Sequence, residues 1–151
     1  MDGQMLPDDF KEFLKLLADH KLHYLLIGGY AVGYYGYPRT TADIDIWIAI
    51  SPDTARKMVH IFHAFGMNSP DISEELFTTP GNIVRMGVAP VRIEVLNEID
   101  GVIFYECYER AQKVAIDGIE VTMISLQDLR INKQASGRHK DLDDLEHLPE
   151  G

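Results

Sequence analysis

The stretch Asp43-Ile44-Asp45-Ile46-Trp47-Ile48-Ala49-Ile50 alternates strictly. Ile44, Ile46, Ile48 and Ile50 fall on one face of an extended chain, and Asp43, Asp45, Trp47 and Ala49 fall on the other. Four isoleucines on one side anchor such a strand in a core and hold the acidic side still. The carboxylates of Asp43 and Asp45 then project from the same face, roughly 6.6 Å apart at Cα given a rise of ~3.3 Å per residue. Two rigidly held carboxylates suit a hard, oxygen-seeking divalent cation, Mg2+ or Mn2+ rather than zinc. A bare Asp-x-Asp also fits an edge strand whose outer face is simply acidic, so its neighbours have to decide.

Upstream, residues 24–27 form a short apolar strand, Gly28-Gly29 breaks it, and residues 30–35 have helical character. Glycines between a strand and a helix let the backbone approach a ligand, and the N–H groups that follow suit a phosphate; an ordinary turn has the same spelling. Pro38-Arg39-Thr40-Thr41 then sets one rigid residue, one permanent cation and two hydroxyls directly before the acidic strand. Arg39 either binds a triphosphate or pairs with Asp43, and a planar five-donor guanidinium favours the phosphate. Downstream, Val91-Arg92-Ile93-Glu94-Val95-Leu96 alternates again, with Glu94 as a third carboxylate. Beside the Asp43 strand it would let three acids share one or two metals; pairing with Arg92 is the simpler alternative.

The remaining chain supplies a frame. Pro7-Asp8-Asp9 followed by Phe10, Phe13, Leu14 and Leu17 predicts an amphipathic helix ending near Lys21. Ser51-Pro52 caps a helix to about Phe65, which Gly66 stops. Residues 83–88 and 91–97 read as a hairpin around Ala89-Pro90, and residues 113–116 and 119–123 as a second one around Asp117-Gly118. Ser125-Leu126-Gln127-Asp128 resembles a capping box opening a helix that Gly137 ends, and a last helix spans about 141–148. The expected architecture is a single α+β domain over residues 1–151, a mixed sheet flanked by helices.

Composition narrows the function. The chain has 151 residues, 14 Lys and Arg against 24 Asp and Glu, and a net charge of -10. No broad basic footprint for duplex DNA or anionic lipid is available. The single cysteine, Cys107, excludes an intrachain disulfide and any multi-cysteine zinc site. The acidic opening Met1-Asp2-Gly3-Gln4 is unlike a secretory signal, and no apolar run reaches the ~20 residues of a membrane span. The expectation is a cytoplasmic protein.

Gly28-Gly29, Arg39, Asp43-Ile44-Asp45 and Glu94, in that order and spacing, resemble the signature of the polymerase-β-type nucleotidyltransferase superfamily. The tail Asn132-Lys133-Gln134-Ala135-Ser136-Gly137-Arg138-His139-Lys140-Asp141-Leu142-Asp143-Asp144-Leu145 resembles its small bacterial branch, the abortive-infection toxins of type IV toxin–antitoxin systems. The resemblance spans roughly residues 25–148. It implies a nucleoside triphosphate across the Gly28-Gly29 turn, two Mg2+ ions on Asp43, Asp45 and Glu94, and transfer of a nucleoside monophosphate to an acceptor hydroxyl of a tRNA, a protein or a small molecule. In such chemistry two metals neutralise charge on the attacking oxygen, the α-phosphoryl group and the leaving pyrophosphate. Two departures stand out: Gly29 lacks the serine hydroxyl that many members place there, and Glu94 stands where many have Asp.

Lys133, near the end of its helix, would reach the β- and γ-phosphates, although a lysine there also complements the helix dipole. Arg138, Lys140 and Asp141 match the tail motif, and Asp141 is equally a candidate N-cap. One of Tyr30, Tyr34, Tyr35 and Tyr37 is expected at the pocket to stack a base. His60 and His63 read as a solvated helix face, Cys107 as inert, and Asp43-Ile44-Asp45 is no EF-hand start, since the required Gly and Glu do not follow. The competing reading is a non-catalytic nucleotide- or partner-binding member of the fold. Only about 57 residues follow Glu94, so acceptor recognition would come from a homodimer or a protein partner.

Overall fold

A computed structural model describes residues 5–37, 43–88 and 91–150. The chain opens with α1 (Asp8–Asp19), β1 (Tyr24–Ile27) and α2 (Gly28–Tyr34), then β2 (Asp43–Ile48) and α3 (Pro52–Ala64). It continues through α4 (Glu74–Thr78), β3 (Ile83–Val88), β4 (Val91–Leu96), α5 (Phe104–Glu109), β5 (Gln112–Ile116) and β6 (Ile119–Met123), and ends in α6 (Leu126–Ser136) and α7 (His139–His147). The strands form one six-stranded sheet in the order β3-β4-β2-β1-β6-β5. It is mixed: β2 runs parallel to β4 and β1 parallel to β6, while β1/β2, β3/β4 and β5/β6 are antiparallel. The α+β expectation, with helices on a mixed sheet, holds.

Local chemistry explains most boundaries. Ser51 Oγ accepts the Thr54 amide at 3.1 Å and Pro52 opens α3, so the first turn loses no hydrogen bond it needs. Ser125 Oγ accepts the Asp128 amide at 3.1 Å, and Gly137, at φ +66, ends α6 in the left-handed conformation that glycine adopts without penalty. The Asp117-Gly118 turn has positive φ at both positions, 51 and 78, the geometry that matches the twist of a two-residue hairpin.

The core is made by the predicted apolar faces. Phe10, Phe13, Leu14 and Leu17 of α1 and Met58, Ile61 and Phe62 of α3 are buried in one cluster with Ile44, Ile46 and Ile48 of β2. Fully burying each such side chain contributes about 1.5–3 kcal/mol. Phe13 makes edge contacts with Phe62 and Phe65, at 6.1 and 5.5 Å between ring centres.

Three expectations change. Ile50 lies beyond β2 and is 42% exposed, because the strand ends at Ile48 and the chain turns towards α3. Asp128 does not complete a capping box; Arg110 donates to its two oxygens at 2.9 and 3.0 Å. Asp141 is not an N-cap, since α7 begins two residues earlier with Arg138 in that place. The proposed Ala89-Pro90 turn lies outside the described residues. No helix among the described residues is long and apolar enough to cross a membrane.

Candidate functional site

The parallel pairing of β2 with β4 assembles the site. Its register sets Asp43 against Arg92 and Asp45 against Glu94. The β3/β4 register adds Arg85 opposite Glu94. Because side chains two apart share a face, and paired residues share it too, these five charges stand on one side of the sheet. The opposite side of β2 is the isoleucine row of the core, so the acids cannot move without unseating that row.

The acids differ in their surroundings. Arg92 grips Asp43 with two parallel bonds, Nε to Oδ1 at 3.0 Å and Nη2 to Oδ2 at 3.0 Å. Arg85 Nε donates to Glu94 Oε2 at 2.8 Å, and Arg92 Nε lies 3.7 Å from the same oxygen. Asp45 is set deeper. A Cβ on Gly28 would stand 2.1 Å from Asp45 Oδ2, and Gly28 has φ +71, so only glycine leaves room for that carboxylate. Burial pushes the Asp45 carboxyl up to about 7, helped by a side-chain hydrogen bond to Glu94 and the charges of Glu94 and Asp43, with Lys140 opposing.

These acids and the glycine turn line one cleft of about 400 Å³. Gly28, Gly29, Asp43, Asp45 and Glu94 all border it, as do Arg138 and Lys140 at the start of α7. Asp45 and Glu94 fit a divalent cation well: two carboxylates drawn together on a rigid ladder, one of them reluctant to ionise alone, are the arrangement a bound cation relieves. Asp43 fits less well, because a guanidinium already takes both its oxygens. Among the described residues no three acidic, histidine or cysteine side chains form a ready-made metal cluster.

Lys133 is in the cleft wall but 5% exposed. Its ammonium donates to Asp141 Oδ1 at 3.1 Å and lies 3.1 Å from Asp144 Oδ2. Arg138 Nε donates to the second Asp141 oxygen at 2.6 Å. Burial works against the Asp141 charge, yet bonds from Arg138 and Lys133 hold its carboxyl below the usual range. Lys133 therefore fastens α7 to α6, and no bond to a phosphate is needed to explain its position.

Arg39 lies outside the described residues. No tyrosine borders the cleft. Tyr30 is buried against Phe10, Tyr35 donates to the Ile124 carbonyl at 2.6 Å, and Tyr37 stacks on His147 with ring centres 4.1 Å apart. These three rings pack between elements, and Tyr34, edge-on to Tyr35 and 36% exposed, lies away from the cleft lining. Asn132 and Ser136, both within the tail motif, also border the cleft, as do the acids Glu98 and Asp100, which had no sequence signal because they reach it from loop positions that no pattern marks.

Residues 7–150 match the model of a protein family described as nucleotidyl transferase of unknown function (DUF2204). The fold is similar to the crystal structure of a candidate nucleotidyltransferase from Thermotoga maritima, with a TM-score of 0.64 and 14% identity over 95% of this chain and 94% of that one. No curated protein matches the sequence.

Proposed function

We propose that this chain, which belongs to the DUF2204 family of nucleotidyl transferases, is an Mg2+- or Mn2+-dependent enzyme that moves a nucleoside monophosphate from a triphosphate to an acceptor hydroxyl. The observation that carries the proposal is the Asp45–Glu94 pair, set side by side on parallel strands above a glycine turn at the edge of one cleft.

Asp45 and Glu94 would hold the cation, with Asp43 beside them. When bound, the ion would supply charge neutralisation on the phosphoryl oxygens. Gly28 and Gly29 border the same cleft, where a triphosphate would lie. Arg138 and Lys140, on the wall of the same cleft, would bind its phosphates, and Lys133 keeps the helix they open in place. The acceptor oxygen attacks the α-phosphorus, the bond to the bridging oxygen breaks, and pyrophosphate leaves. Glu94 accepts the proton of the attacking hydroxyl.

The experiment is transfer of label from each α-labelled triphosphate, with Mg2+, to tRNA, protein and aminoglycoside-type acceptors. Labelled product from the wild type and none from Asp45→Asn supports the assignment. Absence of labelled product with all three acceptor classes counts against it and favours a nucleotide- or partner-binding member of the fold. That second reading draws on the guanidinium already seated on Asp43.

A further inference from the structure

The charges on β2, β4 and β3 form two rungs, Asp43–Arg92 and Asp45–Glu94–Arg85. We propose that Arg92 takes the place of one of the two cations expected at these acids, so that the cleft binds a single divalent ion, on Asp45 and Glu94. This rests on the nucleotidyl-transfer reading and narrows it.

Register makes Arg92 the direct neighbour of Asp43, and the neighbour is covalently part of the sheet. The guanidinium delivers two bonds of 3.0 Å in the fork geometry that fits a carboxylate best. A metal at Asp43 would have to compete with both bonds and with the guanidinium charge for the lone pairs that remain. Net charge points the same way: with all three acids ionised, three carboxylates and two guanidiniums leave the two rungs with one net negative charge, which a single divalent ion already exceeds. Asp45 has the contrary environment. Its half-buried carboxylate lies against Gly28 and beside Glu94, with no arginine bonded to it among the described residues. A guanidinium on the first acid also supplies a permanent positive charge there with no metal-binding equilibrium to satisfy.

The test is the number of Mn2+ ions bound per chain, measured by calorimetric titration of the intact protein without nucleotide. One ion is expected for the wild type, one for Arg92→Lys, which keeps the charge, two for Arg92→Gln, and none for Asp45→Asn. The Arg92 side chain is 36% exposed, so its substitution leaves the core untouched, and the unfolding midpoint checks this. Two ions on the wild type, or one on folded Arg92→Gln, overturns the proposal while leaving the transfer reading intact. No ion on either wild type or Arg92→Gln overturns the proposal, and the Mg2+-dependent stabilisation by triphosphates then decides the transfer reading.

Discussion

Asp45 and Glu94 are register partners on parallel strands, and Gly28 closes over the first of them so tightly that a Cβ would meet Asp45 Oδ2 at 2.1 Å. Two like charges are thus held together by backbone pairing on one side and by the absence of a side chain on the other. Such an arrangement costs stability in the ligand-free protein, and a cation bound between the two acids would relieve it.

Gly28→Ala is expected to cost more than Gly118→Ala. Both have positive φ, which costs an alanine about 1–2 kcal/mol, but the space around Gly118 is open while Gly28 faces Asp45. Overpacking adds a further ~1–3 kcal/mol at Gly28. Thermal or urea unfolding of the two variants gives the difference, and equal losses would mean that the Asp45 carboxylate can swing away freely.

Stability should depend on pH through Asp45. Its folded carboxyl titrates at about 7 against 3.8 for the ordinary group, so the folded protein binds the proton more tightly. The stabilisation from that proton is complete below about pH 4 and is lost as pH rises to 7. Asp45→Asn, which keeps the neutral form's shape, should therefore be more stable than the wild type at pH 8 by several degrees in Tm, and the gap should close near pH 4. Unfolding curves at the two pH values check this; a gap that grows on acidification contradicts it.

Lys133→Met should be among the most damaging single changes in the tail. It leaves Asp141 and Asp144, 1% and 0% exposed, without the ammonium between them. Breaking a buried ion pair from one side costs about 3–5 kcal/mol. Lys133→Met combined with Asp144→Leu should recover much of the loss, since Arg138 still holds Asp141. The unfolding midpoints of single and double variants decide.

Strand β2 was legible because one strict alternation carries both its core face and its acidic face, and Glu94 because β4 repeats the pattern. The partner of each acid was not legible. Pairing of Arg92 with Glu94, two residues away, was one of two readings and is present at 3.7 Å, but the two closer bonds of Arg92 go to Asp43, 49 positions distant, because strand register is set by non-local packing. Helices α4 and α5 have 5 and 6 residues, too short to show a helical period. Lys133 sat at the predicted helix end, but its burial depends on how α7 docks, and only the three-dimensional arrangement reveals that.

Thermal unfolding with ATP, GTP, CTP and UTP, each with and without Mg2+, on the wild type and Asp45→Asn, addresses the nucleotide site itself. A triphosphate at 100 times its dissociation constant adds about 2.7 kcal/mol, and each kcal/mol raises Tm by about 2–4 °C at this size. The expected result is a Mg2+-dependent rise with at least one triphosphate in the wild type that disappears in Asp45→Asn. No rise with any triphosphate, or an equal rise in the variant, would contradict the assignment of this cleft.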